Sequence, residues 1–296
     1  MTMAPQEPAP RSDARPGLLR PTMEHWWDFG ARETFLAAIS KIMTISAGSV
    51  LRRRTPPTLA QLHGVSRAVH LRPEEAARDL IGEREGLSLA RIAAEYKAVR
   101  ERLRKAYSQY GITYPSDRRV GGGSAFLLYA LIRGLAPRTV LETGIANGHS
   151  TFVILSALEQ NGVGRLVSVD VDASTGSLLG DLDKSRWDQR VLDDSHRKRS
   201  FQRLVSSLGE VDLFLHDSDH TYRWQRLEFE TVHPQMAASS LMVSDDVDSS
   251  FAFLEFCQKI GRQPTLLVEP RKVFGVVTSG SSVTANQGSR HVIWDE

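Results

Sequence analysis

The sequence is poor in cysteine and has no long apolar run, and both absences narrow the class of protein. Its 296 residues include a single cysteine, Cys257, which cannot form a disulfide within the chain. A reducing, cytoplasmic compartment is therefore expected. No stretch approaches the roughly 20 consecutive apolar residues of a membrane span. The proline-rich, polar beginning also lacks the apolar stretch of a signal peptide. We expect a chain without membrane association.

Two further absences concern partners. The chain carries 37 basic and 35 acidic residues, a formal charge of +2, so its composition does not predict a nucleic-acid surface. The basic clusters at 52–54 and 100–105 are more typical of solvated helix faces than of phosphate contacts. The G-x-G-x-x-G fingerprint of dinucleotide folds is missing as well, which weakens an NAD-dependent oxidoreductase as an interpretation.

The pattern of apolar residues divides the chain into three parts. Residues 1–22 contain prolines and mixed charges with little to bury, and we expect a disordered leader. Residues 23–115 repeat apolar positions at helical spacing and predict an N-terminal helical cap. From 116 to 296, strands alternate with helices. The expected fold class is α/β, a Rossmann-like, doubly wound, mostly parallel seven-stranded sheet with an N-terminal helical extension.

A glycine-rich turn follows the first strand of the α/β region. Residues 140–151 read VLETGIANGHST, and the next strand, RLVSVDVD, ends in acids. Gly144 and Gly148 lie where the backbone must turn sharply and approach a ligand. Asp170 ends the second strand, where a carboxylate can accept hydrogen bonds from both ribose hydroxyls. The pattern favours a nucleoside without a pyrophosphate.

Two later strands also end in acids. VDLFLHDSD ends in Asp217 and Asp219, and SLMVSDD ends in Asp245 and Asp246. Four carboxylates at one edge of a sheet repel one another unless a cation lies among them. Oxygen ligands favour Mg²⁺, while nearby histidines leave room for Mn²⁺ or Zn²⁺. The alternative is that Asp219 caps the following helix and the later pair belongs to an ordinary polar loop.

Taken together, these motifs resemble the S-adenosylmethionine (SAM) site of class I methyltransferases, from about residue 118 to about 279. The resemblance implies that the turn lies under the methionine part of SAM and that Asp170 holds the ribose. It also implies that an acid such as Asp194 accepts a hydrogen bond from the adenine amino group. Trp187 either stacks on the adenine or packs in the core. The cofactor-binding residues implied are Glu142, Gly144, Gly148, Ser150, Asp170 and Asp194.

The acid pairs are similar to those of the metal-dependent O-methyltransferases that modify sugars in natural-product biosynthesis, the macrocin O-methyltransferase-like group. This resemblance implies Mg²⁺ or Mn²⁺ on Asp217, Asp245 and Asp246, with Asp219 as general base and His220 as second choice. The catechol-type branch has a lysine after the first acids and a later Asp-Asn pair, and this chain has neither. Cephalosporin-pathway relatives share the acids but support another reaction.

The expected function is therefore SAM-dependent transfer of a methyl group to a hydroxyl of a small molecule or sugar-containing metabolite. The alternatives are a non-catalytic module that binds SAM or a nucleoside, and a related-fold enzyme with another reaction. The expected partner is a hydroxylated small molecule. Because the N-terminal helices have an apolar face to cover, we also expect them to cap the active site and contribute to a homodimer.

Overall fold

The computed structural model describes residues 57–82, 87–115 and 118–279. The predicted leader and the predicted helices before residue 57 lie outside this part of the chain. The described helices are α1 (Leu59–Val65), α2 (Pro73–Ile81), α3 (Leu89–Gln109), α4 (Gly122–Leu135), α5 (His149–Asn161), α6 (Arg197–Leu208), α7 (Tyr222–Val232) and α8 (Ala252–Lys259). The strands are β1 (Ala68–His70), β2 (Thr139–Thr143), β3 (Arg165–Asp170), β4 (Trp187–Val191), β5 (Val211–His216), β6 (Met236–Ser244), β7 (Thr265–Val268) and β8 (Val273–Thr278).

All eight strands form one sheet, in the order β1-β7-β8-β6-β5-β2-β3-β4. The pairs are parallel except those that β8 makes with β6 and β7, which are antiparallel. The predicted α/β class and mostly parallel sheet are confirmed. Among the described residues the sheet has eight strands rather than the predicted seven, and β1 pairs with β7 as an edge strand from the N-terminal segment. With three residues, β1 is too short to show a period-two pattern.

The strand order places a crevice at the centre of the sheet. From β2 the chain builds outwards through β3 to β4, and then returns to the other side of β2 to form β5. The connections after β2 and β5 therefore leave in opposite directions. In open α/β sheets, ligands bind at this switch point, outside the carboxyl ends of the strands.

Helices cover both faces of the sheet, and alternation along β5 shows why. Leu213 and Leu215 pack into the cluster on one face, which includes residues of α4 and α5. Phe214 points to the other face and contacts Phe229 of α7, with ring centroids 6.5 Å apart. Successive side chains of a strand alternate in direction, so an unbroken apolar strand needs both covering layers.

The described N-terminal helices pack directly on the first of these layers. The ring of Tyr96 in α3 lies 5.4 Å from the rings of both Phe126 and Tyr129 in α4. Helix α2 starts at Pro73, a favourable first position because proline lacks only an amide N–H that would have no partner within the helix. In the part of the chain that is described, no helix combines the length and the apolar character needed to cross a bilayer.

Candidate active site

A cavity of about 440 Å³ opens at the carboxyl ends of β2, β3, β5 and β6. Five of the predicted site residues that follow these strands share its wall. They are Gly144, Asp170, Asp217, Asp245 and Asp246. Asp219 and His220, the two candidate bases, also line it. The structure thus brings the predicted cofactor turn and the predicted acid cluster into one cavity.

The turn after β2 is shaped by Gly144 and Asp170. Gly144 has φ +85°, and a Cβ at this position would overlap the carbonyl of Asp217. Asp170 accepts hydrogen bonds from the backbone N–H of Ile145 at 2.8 Å and of Val171 at 2.7 Å. The carboxylate therefore fixes the turn while it faces the cavity. A glycine turn beside a strand-end acid fits the nucleoside part of SAM.

Glu142 lies behind the turn. Its Oε2 accepts hydrogen bonds from Thr151 Oγ1 at 2.8 Å and Ser168 Oγ at 2.6 Å. Burial raises the pKa of Glu142 to about 7, and the neighbouring hydroxyls offset part of that rise. Ser150 is one of those hydroxyls. Neither Glu142 nor Ser150 belongs to the cavity wall that the described residues form. Gly148, the N-cap residue before α5 with φ +89°, is not part of it either.

The predicted adenine residues lie outside the cavity wall as described. Asp194 is exposed at the start of a 3₁₀ turn, which Asp193 caps by accepting a hydrogen bond from Ser195 N at 3.0 Å. Trp187 packs against the core, and its indole donates to Ser168 Oγ at 3.0 Å. For Trp187, the packing alternative is thus the one that the structure supports. The role of Asp194 at the adenine stays a prediction.

The N-terminal segment reaches the cavity just after α3. The backbone N–H of Tyr114 donates to Asn147 Oδ1 at 3.1 Å, and its hydroxyl donates to Asp172 Oδ2 at 2.9 Å. Tyr114 lines the cavity as a result. In α3, the hydroxyl of Tyr107 lies 3.0 Å from Nδ1 of His149, in the first turn of α5. The segment is therefore tied to both sides of the glycine turn.

The acids after β5 and β6 converge as predicted. Asp217, His220 and Asp245 each place a ligand atom within 4.8 Å of the others, a spacing that can hold a metal ion. His220 Nε2 lies 3.8 Å from Asp217 Oδ1 and 3.6 Å from Asp246 Oδ2. The sequence predicts three aspartates as metal ligands. In the structure, His220 lies close enough to be a further ligand.

A lysine that the sequence analysis missed also enters the cluster. Lys272 lies between β7 and β8, and its ammonium pairs with Asp245 Oδ2. Its Nζ is 3.7 Å from Asp246 Oδ1 and donates to the carbonyl oxygen of Arg119 at 3.1 Å. The pattern PRK between two apolar strands indicated only a hairpin turn. Helix α8 and strand β7 separate this turn from Asp245 and Asp246 in the chain, so the local sequence does not predict that Lys272 pairs with these acids.

The carboxylates of the cluster lie around a single lysine. Asp217, Asp245 and Asp246 line the same cavity, and the ammonium of Lys272 pairs with Asp245 and lies near Asp246. Burial, and then the neighbouring Asp245, raise the pKa of Asp217 well above its usual range. Burial alone would lower the pKa of Lys272, but the aspartates around it raise it. Asp245 is fully buried and its Oδ1 has no hydrogen-bond partner. This donor set fits a hard divalent cation.

The two candidate bases differ in their surroundings. Asp219 Oδ2 pairs with Arg197 at 2.9 Å, and its Oδ1 accepts a hydrogen bond from Thr221 N at 3.0 Å. Burial would raise the pKa of Asp219, but these two bonds lower it below its usual range. Burial lowers the pKa of His220 to about 4, and His216 beside it adds to the effect. The imidazole of His220 is therefore neutral near pH 7, whereas Asp219 is engaged in an ion pair with Arg197 and in the turn that precedes α7.

Glu228 of α7 is a second residue that the sequence analysis missed. It binds His216 Nδ1 at 2.6 Å, Thr143 Oγ1 at 2.7 Å and Ser218 Oγ at 2.9 Å. One buried carboxylate in the cavity wall thus joins the ends of β2 and β5. An acid among the apolar positions of an amphipathic helix was the only signal in the sequence.

Comparisons with known proteins agree with this arrangement. A methyltransferase-domain family model matches residues 141–247. No curated protein matches the chain. Among solved structures, an O-methyltransferase from Bacillus cereus in complex with SAH is 14% identical, with a TM-score of 0.48 over 73% of this chain and 99% of that one. TomG from Streptomyces achromogenes, involved in tomaymycin synthesis and solved with SAM, is 19% identical, with a TM-score of 0.49 over 61% and 90%. MycE of the mycinamycin pathway, solved with Mg, SAH and mycinamycin VI, is 15% identical, with a TM-score of 0.45 over 64% and 57%.

At these TM-scores the structural likenesses assign no chemistry. The family match carries the assignment, because its range includes the glycine turn, Asp170 and all the clustered acids. The sheet agrees with it through its central switch point and its antiparallel β8. Residues 141–247 are therefore similar to a methyltransferase domain, and the described residues have the α/β fold with a mostly parallel sheet that the sequence predicted.

Proposed function

We propose that this domain transfers the methyl group of SAM to a hydroxyl oxygen of a small molecule, such as a sugar-containing metabolite, with Mg²⁺ or Mn²⁺ at the acid cluster. The observation that carries the proposal is the buried, unpartnered Oδ1 of Asp245 beside Asp217 and His220 in the cavity wall. Methyl transfer that needs SAM but no metal ion gives no reason for three carboxylates to lie together beside the acceptor.

The chain's residues divide the cavity into two sides. On the cofactor side, Gly144 and Asp170 form the wall next to the turn, and Asp170 has the position to accept hydrogen bonds from a ribose. On the acceptor side, Asp217, Asp245 and Asp246 would hold the cation, with His220 as a further ligand or as the base. When bound, SAM supplies an electrophilic methyl group, and the cation supplies Lewis acidity that lowers the pKa of a coordinated hydroxyl.

His220 is the stronger candidate for the proton acceptor. Its ring is neutral near pH 7 and lies against the acids that would orient the acceptor hydroxyl. Asp219 would first have to leave Arg197, whose guanidinium is held 3.6 Å above the ring of Trp224. We therefore assign proton transfer to His220, and we assign to Asp219 the pairing with Arg197 and the turn before α7.

The test is methyl transfer from SAM carrying a deuterated methyl group to a panel of hydroxylated small molecules, sugars included, read by mass spectrometry. We expect labelled methyl ethers and S-adenosylhomocysteine in equal amounts. SAM binding without transfer to any acceptor would instead favour a non-catalytic module. Label on nitrogen or carbon would contradict the assignment to oxygen.

A further inference from the structure

The side chain of Lys272 is only 11% exposed and lies within the acid cluster. Its ammonium pairs with Oδ2 of Asp245 and lies 3.7 Å from Oδ1 of Asp246. The other oxygen of Asp245, Oδ1, has no hydrogen-bond partner. An ion bound at that oxygen would lie close to a positive charge that is already part of the protein.

The backbone holds this lysine in place. The turn closes through a hydrogen bond from Glu269 N to the carbonyl of Lys272 at 2.9 Å. The carboxylate of Glu269 accepts hydrogen bonds from Gly123 N at 2.8 Å and Ser124 N at 3.1 Å, at the start of α4. On the other side, Val273 N donates to Asp248 Oδ1 at 3.0 Å. Hydrogen bonds thus hold the turn on both sides of Lys272.

We infer that Lys272 is the resident cation of the acid cluster and that it competes with a divalent ion for Asp245. The inference rests on the proposed ion site and adds what regulates its affinity. With the lysine in place, the three aspartates can stay together without an ion. The same positive charge repels an incoming ion, so the affinity for that ion is lower than the three carboxylates would otherwise give.

Titration calorimetry with MnCl₂, on the full chain and without SAM, tests this inference. Lys272→Met removes the charge and keeps most of the side-chain volume, and we expect it to bind Mn²⁺ tighter than the wild type by roughly tenfold or more. Lys272→Arg keeps the charge and should stay close to the wild type. Lys259→Met is the matched control, because it removes a lysine that pairs with Glu230 on the surface, 61% exposed.

A second measurement guards against loss of folding. Without an ion, Lys272→Met loses the ammonium that pairs with Asp245, so its thermal midpoint should fall, and MnCl₂ should raise that midpoint more than in the wild type. If Lys272→Met does not fold alone, recovery of its circular dichroism by MnCl₂ gives the same answer, and Lys272→Gln provides a second variant for the titration.

Three results would overturn the inference. Equal Mn²⁺ affinity in wild type and Lys272→Met would show that the lysine does not compete, and the ion site itself would stand. Weaker binding in Lys272→Met would make the lysine a support for the ion. Binding in neither protein would remove both the competition and the proposed ion, while SAM binding and methyl transfer would still be decided by their own assays.

Discussion

Replacing Glu142 with glutamine should change how the stability of the protein depends on pH. Glu142 is fully buried, and burial raises its pKa from an ordinary 4.5 to about 7. The folded protein therefore holds a proton on this group between those two values, and the unfolded chain does not. A raised pKa gives stability that is complete below the unfolded value and is lost as the pH rises through the folded one.

The size of the effect follows from the shift. Between pH 4.5 and pH 8, ionisation of Glu142 should lower the free energy of unfolding by about 3 kcal/mol, at 1.36 kcal/mol per pKa unit. Glu142→Gln removes this loss and can still accept the hydrogen bonds of Thr151 and Ser168 through its amide oxygen. The variant should therefore gain stability relative to the wild type as the pH rises.

Urea unfolding of both proteins at pH 5, 6, 7 and 8 measures this difference. Other groups also make stability depend on pH, including His149 and His220, whose pKa burial lowers in the folded protein, but they contribute equally to both proteins. The difference between the two proteins isolates Glu142. A difference that stays constant from pH 5 to pH 8 would refute the reasoning, because the carboxyl would then have its ordinary pKa in the folded state.

Further predictions concern the turn, the bases and the ion. Gly144→Ala should abolish SAM binding in calorimetry, because its Cβ would overlap the Asp217 carbonyl, whereas Gly162→Ala, at φ +72° with nothing near its Cβ, should cost only ~1–2 kcal/mol in urea unfolding. His220→Ala should lower the turnover number by ~10²–10⁴ with SAM affinity unchanged, and Asp219→Asn should lower it less. A larger loss of turnover in Asp219→Asn than in His220→Ala would show that Asp219 is the base. EDTA should remove activity and Mg²⁺ or Mn²⁺ should restore it; full turnover in EDTA would argue against the ion.

Much of the fold could be predicted from the sequence because its strands and helices are strongly patterned. The sequence predicted strands β2, β3, β5 and β6, although it extended β5 and β6 to the acids that follow His216 and Ser244. Strand β4 was missed, since WDQRV is partly exposed and lacks a clear alternation. The role of residues 23–115 as a cap and the homodimer remain predictions, and the first part of that segment lies outside the described residues.

The sequence predicts those site residues that lie at the ends of strands. Acids that follow parallel strands meet at one edge, and this placed Asp170, Asp217, Asp245 and Asp246 on one cavity wall. Site residues that do not follow a parallel strand could not be predicted in this way. Lys272 comes from a hairpin turn and Glu228 from a helix, and each reaches the site only through the tertiary fold.

The proposed methyl transfer requires that the cavity bind SAM through the glycine turn after β2 and through Asp170. Calorimetric titration of SAM into wild type and Asp170→Ala tests it most directly, with Asp188→Ala as control, because Asp188 pairs with Arg190 on β4 and is not part of the cavity wall described here. We predict that SAM binds the wild type and the control alike, that NAD binds neither, and that Asp170→Ala loses ~1–3 kcal/mol of SAM affinity while its circular dichroism is unchanged. No binding of SAM to the wild type, or equal affinity in a folded Asp170→Ala, would contradict the account.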